Sequence, residues 1–207
     1  MGGYSYRWRV ARAVETFGAA SEAIGKIEPG MALFGVSRGQ FAMIDMIRHV
    51  LAEVGPAEVS LWTWAIAEYE RDMVLALLSD QAITGATLLL DYSAGRREPA
   101  MVDEWRDRFG ESSVKIIRNH AKIARVWNDR YRVLLRGSMN LNYNPRAEQF
   151  DVTEGGPDFD LVAGIEAEVP VLPRRYDHEQ VFQASGLGRA FDASVMGVFD
   201  GGKQWQP

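Results

Sequence analysis

Apolar and polar positions fall in blocks along this chain, and their period changes from block to block. Residues 8–25 place Trp8, Val10, Ala11, Val14 and Phe17 at mixed three- and four-residue spacing, which predicts a helix. A turn follows at 27–30. The short apolar run 31–36 predicts a strand, closed by Ser37-Arg38-Gly39. Residues 40–54 read as a helix stopped by Gly55-Pro56. Residues 58–64 are rich in β-branched and aromatic side chains and predict a strand. A helix at 68–78 and a buried strand at 86–91 (ATLLLD) come next. Residues 99–109 read as a helix with proline in its first turn and Gly110 at its end, and 114–118 as a strand.

Strands alternating with helices predict an α/β sheet that is parallel at least in part. The pattern then changes. Residues 120–127 and 130–136 read as two strands around Asn128-Asp129, a hairpin signal. A strand at 149–153 and a helix at 158–168, opened by Gly155-Gly156-Pro157, complete the regular part. From Pro170 the chain turns irregular and reads as a docked or partly ordered extension. The expected organisation is an N-terminal helix over 1–26, one domain over 27–169 and an extension over 170–207.

Composition narrows the class. Apolar residues make up 47% of the 207, so a core is available and disorder is not expected. There is no cysteine, which removes disulfides and thiolate chemistry and fits a reducing compartment. No apolar run reaches the roughly 18 residues that span a bilayer, and the N-terminus has no continuous apolar segment of the signal-peptide kind. The expectation is a cytoplasmic protein without membrane insertion. The net charge of -5 argues against bulk nucleic-acid binding, but the distribution argues otherwise. Between Arg96 and Arg146 there are twelve Lys or Arg against six Asp or Glu. Asymmetry of this kind marks either a surface for an anionic partner or a solvated strand face.

The candidate chemistry lies between residues 119 and 154. With Asn128 and Asp129 as the two turn residues, Trp127 pairs with Arg130, His120 lies opposite Gly137, and Lys122 lies opposite Leu135. Strand side chains alternate, so His120 and Lys122 share a face. Imidazole, ammonium and the Gly137-Ser138 backbone then meet at one end of the hairpin, with Asn140 just beyond. A nucleophilic histidine, a cation, a hydroxyl and an amide around one point suit a tetrahedral phosphate. Gly137 lets a substrate or backbone approach closely.

With His120-Ala121-Lys122 followed by Gly137-Ser138-Met139-Asn140, the chain resembles the phospholipase D superfamily. The order of elements from 31 to 168 is also what one repeat of that fold would show. The resemblance implies a phospholipase D-like mixed sheet flanked by helices, one repeat per chain. It implies a phosphodiesterase in which His120 attacks phosphorus, a second histidine protonates the leaving oxygen, and no metal or other cofactor is needed. It gives Glu148 the role of orienting the nucleophile, with Asp151 as the fallback. Two departures stand out. The aspartate that the superfamily places five residues after the lysine is Trp127 here, and Asp129 lies two positions further on, in the turn. The gap from His120 to Gly137 is also a few residues longer than usual. Since the chain has one H-x-K, the resemblance further implies a homodimer in which His120 of both copies completes a shared site.

Other residues are read more plainly. His49, late in a helix, is read as a core or C-terminal helix residue, and His178 as a polar residue of the extension. By hairpin parity Arg125, Arg132 and Arg136 face away from His120, as solvated or helix-packing residues. Arg146 is the best additional phosphate contact, and Arg38, after the first strand, is a second candidate. Trp62 and Trp64 face one way and read as core rather than as a base-stacking platform. Nucleic acid is the expected partner and a nuclease the expected activity. The alternatives are a catalytically silent binding module on the same fold and a lipid phosphodiesterase, for which no membrane-facing amphipathic stretch is evident.

Overall fold

The computed structural model describes residues 12–63, 82–139, 141 and 145–186. The helix read at 68–78, Trp64 and Asn140 lie outside these described residues. The elements run in chain order as β1 (Arg12–Thr16), α1 (Ala20–Ile24), β2 (Ala32–Ser37), α2 (Met43–Val54), β3 (Ala57–Thr63) and β4 (Ile83–Asp91). They continue as α3 (Tyr92–Arg97), α4 (Pro99–Phe109), a 3₁₀ turn (Glu111–Ser113), β5 (Val114–Ile117), β6 (Ile123–Trp127) and β7 (Arg132–Gly137). The last are β8 (Glu148–Glu154), α5 (Pro157–Glu168) and α6 (His178–Ala184).

The strands form one eight-stranded mixed sheet in the order β1-β2-β8-β7-β6-β3-β4-β5. β3, β4 and β5 are parallel, as are β1 and β2, and the central strands β8, β7 and β6 are antiparallel. This is the mixed α/β sheet flanked by helices that the alternation of elements predicts. Side chains of period two divide the core between the two faces. Val59, Leu61, Leu88, Leu90, Ala124, Val126, Val133, Leu135, Phe150 and Val152 pack on one face with α1, α2 and α4. Trp62, Leu89 and Leu134 pack on the other, mainly against Phe159 and Val162 of α5.

Local signals set several boundaries. In α2, Asp45 reaches back to the Ala42 N–H at 2.9 Å, and Gly55, at φ 80°, returns its N–H to Leu51 O. In α4, proline opens the helix and Gly110 closes it, as the sequence predicts. At the N-terminus the structure departs from the expected helix: residues 12–16 form β1, and a helix of five residues follows. The mixed apolar spacing there is compatible with either period. Pairing with β2 decides between them, because it satisfies the backbone of β1 and turns Thr16 inward.

The hairpin register also differs from the expected one. Ile123 pairs with Arg136, and Trp127 with Arg132. The turn is therefore longer than two residues. The Asn128 carboxamide oxygen accepts the N–H groups of Arg130 and Tyr131, both at 3.0 Å. Its amide donates to Val54 O and Pro56 O, both at 3.1 Å. An asparagine turn anchored to the α2–β3 loop thus displaces the Asn128-Asp129 two-residue turn. The shift is by an even number of residues, so the two faces of β6 and β7 stay as parity assigns them.

Candidate active site at one end of the sheet

Strand direction gathers the chemistry. β3, β4 and β5 end at the edge of the sheet where β6 begins, because β6 runs antiparallel to β3. By the same rule β7 ends there, β8 begins there and β2 ends there. The segment 118–122, crossing from β5 to β6, must pass over the carboxyl ends of β4 and β3. Open α/β sheets place ligands at such ends. His120, Lys122, Ser138, Glu148, Ser37 and Asp91 are all brought to this one edge.

The crossing segment is held on both sides of His120. Asn119 is buried. Its side-chain oxygen accepts the Ala121 N–H at 2.9 Å, and its amide donates to Ala121 O at 3.3 Å. Its own N–H donates to Asp91 Oδ2 at 3.0 Å. Asp91 also caps α3, accepting from Ser93 N at 2.9 Å and Ser93 Oγ at 2.5 Å. Sequence reading did not single out Asp91 or Asn119. The one available signal was an aspartate ending an apolar strand two residues before a serine, the usual form of a helix cap.

His120 is exposed at the tip of this segment. Lys122 Nζ lies 3.2 Å from its Nδ1 and donates to its carbonyl oxygen at 2.8 Å. Lys122 stands opposite Gly137, whose N–H donates to Lys122 O at 3.3 Å. Burial lowers the Lys122 pKa from the ordinary lysine value, and the Glu148 carboxylate acts in the opposite sense. A Cβ at Gly137 would meet Gln149 O at 2.6 Å, so only glycine allows β7 and β8 to close up here.

Ser138 follows at once. Its N–H donates to Gln149 O at 3.0 Å, its Oγ accepts the Gln149 N–H at 3.1 Å, and the same hydroxyl donates to the Glu148 carboxylate. Glu148 is in register with the buried Ser37 of β2. The carboxylate is thus joined to the serine and coupled electrostatically to the lysine. Beside Lys122 the sheet edge opens into a shallow concavity that reaches Arg136 and Asp151, which are paired in register across β7 and β8. Burial raises the Asp151 pKa, with Arg136 opposing it.

The remaining candidates separate. Arg38 is at the same edge, but its guanidinium binds Glu15, with Nε at 2.9 Å. Arg146 is exposed just before β8. Asp129 is exposed in the hairpin turn, at the opposite end of β6 and β7 from His120. Trp127 is turned to the second face, edge-on to Phe159. His49 Nε2 bonds Gly25 O at 2.7 Å, fastening α2 to the end of α1. Among the described residues, no group of three His, Asp or Glu side chains is placed to share a metal ion, and no helix is long and apolar enough to cross a membrane.

No family model matches the chain, and no curated protein matches it. Solved structures do. An archaeal chromatin protein, TrmBL2, whose structure is described as showing a novel mode of DNA binding, matches over 70% of this chain and 53% of its own, at 14% identity and TM-score 0.42. A polyphosphate kinase from Porphyromonas gingivalis matches over 70% of this chain and 27% of its own, at 12% identity and TM-score 0.45. A phosphatidylserine synthase of Haemophilus influenzae Rd KW20 matches over 81% of this chain and 46% of its own, at 16% identity and TM-score 0.44. The chain spans about half the length of two of these proteins and about a quarter of the third.

Proposed function

We propose that this chain is a phosphodiesterase of the phospholipase D type that acts on nucleic acid without a metal, through a phosphohistidine formed on His120. The observation that carries this reading is the convergence of His120, Lys122, Ser138 and Glu148 on one edge of the sheet, with His120 and Lys122 in contact. Neutral imidazole attacks phosphorus, and the bond from phosphorus to the leaving oxygen breaks. A second histidine, His120 of a second copy, gives that oxygen its proton. Water then attacks the phosphohistidine, returns a proton to that second histidine and frees His120. Splitting the displacement in two lowers each barrier. Lys122 balances charge on the phosphoryl oxygens, Asn140 donates a hydrogen bond to them, and Ser138 donates one when its hydroxyl proton swings from Glu148 to the substrate. Glu148 holds the Ser138 hydroxyl and the Lys122 ammonium in place. Three of the twelve basic residues between 96 and 146 are paired with acids of α5, and the others support a polyanionic substrate.

The test is hydrolysis of bis(p-nitrophenyl) phosphate and of single- and double-stranded DNA in EDTA, comparing the wild type with His120→Ala. The substitution is expected to cost roughly 10⁴- to 10⁶-fold in rate, the scale on which loss of a nucleophile acts. A folded wild type without turnover on any of these substrates sinks the enzymatic reading. A silent nucleic-acid-binding module on the same fold is then favoured, a reading to which Asp129, turned away from the site, already gives some weight.

A further inference from the structure

A second pocket adjoins the His120 segment on its β5 side. Tyr92 and Arg96 of α3 form one wall, and Arg175, Tyr176, Asp177 and His178, leading into α6, form the other. Gly95 leaves room between them, since a Cβ there would stand 2.9 Å from the Tyr176 hydroxyl. The rings meet edge to face, with centroids 6.1 Å apart for Tyr92 and Tyr176 and 5.7 Å apart for Tyr92 and His178. Arg96 lies over the Tyr92 ring and donates to its hydroxyl at 3.0 Å. Arg118 donates to His178 Nε2.

The acid in its lining, Asp177, caps α6 by accepting the Gln180 N–H at 2.8 Å. Among the described residues no carboxylate forms an ion pair with the lining Arg96 and Arg175, or with Arg118 beside His178. The neighbouring Arg174, by contrast, is taken up by Asp103, Asp107 and Glu111. The pocket is also tied to the candidate nucleophile. Asp91, at the start of α3, holds the Asn119 N–H, and Ser185, at the end of α6, accepts the Arg118 N–H at 2.8 Å. Both walls are therefore fixed to the two residues before His120.

Resting on the function proposed above, we infer that this pocket is a nucleotide subsite, taking the base and phosphate of a residue beside the scissile linkage of single-stranded nucleic acid. Guanidinium groups suit phosphate oxygens. Tyrosine and histidine rings give a base a stacking surface that tolerates any sequence. A base can reach such a pocket only when it is out of a duplex stack.

The experiment measures binding of a fluorescent single-stranded oligothymidylate by His120→Ala and by His120→Ala carrying Arg96→Glu and Arg175→Glu. Both arginines are exposed, and thermal melting checks that the added changes leave the fold intact. The charge reversals are expected to weaken binding about tenfold or more, and an abasic oligonucleotide of equal length to bind the His120→Ala parent about as weakly. Unchanged binding after charge reversal overturns the subsite. So does equal affinity of the parent for the abasic strand, or no binding of either strand. Hydrolysis of bis(p-nitrophenyl) phosphate by the wild type is read separately. Turnover with unaffected oligonucleotide binding removes the subsite and leaves the active-site reading standing. Oligonucleotide binding that is lost on charge reversal, in a protein without turnover, does the opposite.

Discussion

Lys122 sets what happens at the scale of single residues. It is partly withdrawn from water at the sheet edge, and burial holds its pKa below the ordinary value of 10.5. Folded protein therefore releases this proton at a lower pH than unfolded chain does. Between the two pKa values the unfolded state binds more protons, so the cost of burying the ammonium falls away as pH rises through that window. Function has the opposite sign, because phosphate binding needs the charge. KM for bis(p-nitrophenyl) phosphate is expected to rise on the alkaline side before the ordinary lysine range is reached. Lys122→Arg, which stays charged throughout, is expected to flatten that limb. A wild-type KM that stays level until the ordinary lysine range is passed would remove Lys122 from the phosphate site. Strand period put His120 and Lys122 together, but β6 begins only at Ile123 and the two residues meet in the segment that crosses from β5. The hold that Asp91 and Asn119 keep on His120 was not legible, because Asp91 lies 28 residues earlier in the chain.

At the scale of elements, α5 accounts for three of the twelve basic residues between 96 and 146. Arg125, Arg132 and Arg136 face away from His120, as hairpin parity requires, and each meets an acid of α5: Glu166, Asp160 and Asp158. Arg125 and Glu166 are both buried, 2.8 Å apart. Glu166 also accepts from Ser60 Oγ and from Trp62 Nε1, the latter at 3.0 Å. Removing one partner of a buried pair strands the other charge. Glu166→Gln is expected to lower stability to urea unfolding by about 3–5 kcal/mol, whereas Arg125→Leu with Glu166→Leu costs less than that. A single substitution milder than the double would refute this account. Sequence alone put the three arginines on one face and read them as solvated or packed on a helix. Their acidic partners lie 22 to 41 residues further on, and only the packing of α5 against β6 and β7 brings them within reach.

For the whole molecule, the proposed mechanism needs a second histidine near the first. His49 is fastened to Gly25 and His178 is bonded to Arg118, and the proposed mechanism takes its second histidine from another copy of the chain. Sedimentation is expected to give a dimer. Co-expressing equal amounts of wild type and His120→Ala is expected to leave roughly a quarter of the activity, because only dimers with two intact copies turn over. A half would mean that each chain works alone.

The sequence by itself determined the class of sheet, most of its elements and the faces of the hairpin strands. These follow from side-chain period and from turn and cap residues, which are local properties. Tertiary structure decided the rest. It turned residues 12–16 into a strand, because β2 supplies a partner that satisfies their backbone. It set the hairpin register, because Asn128 is bound to the α2–β3 loop. It drew Asp91, Ser37 and Glu148 to one edge with His120, because strand order and direction fix where distant strand ends meet. Each of these outcomes is a contact between residues far apart in the chain, and a local pattern of hydrophobic and polar positions carries no record of its distant partner.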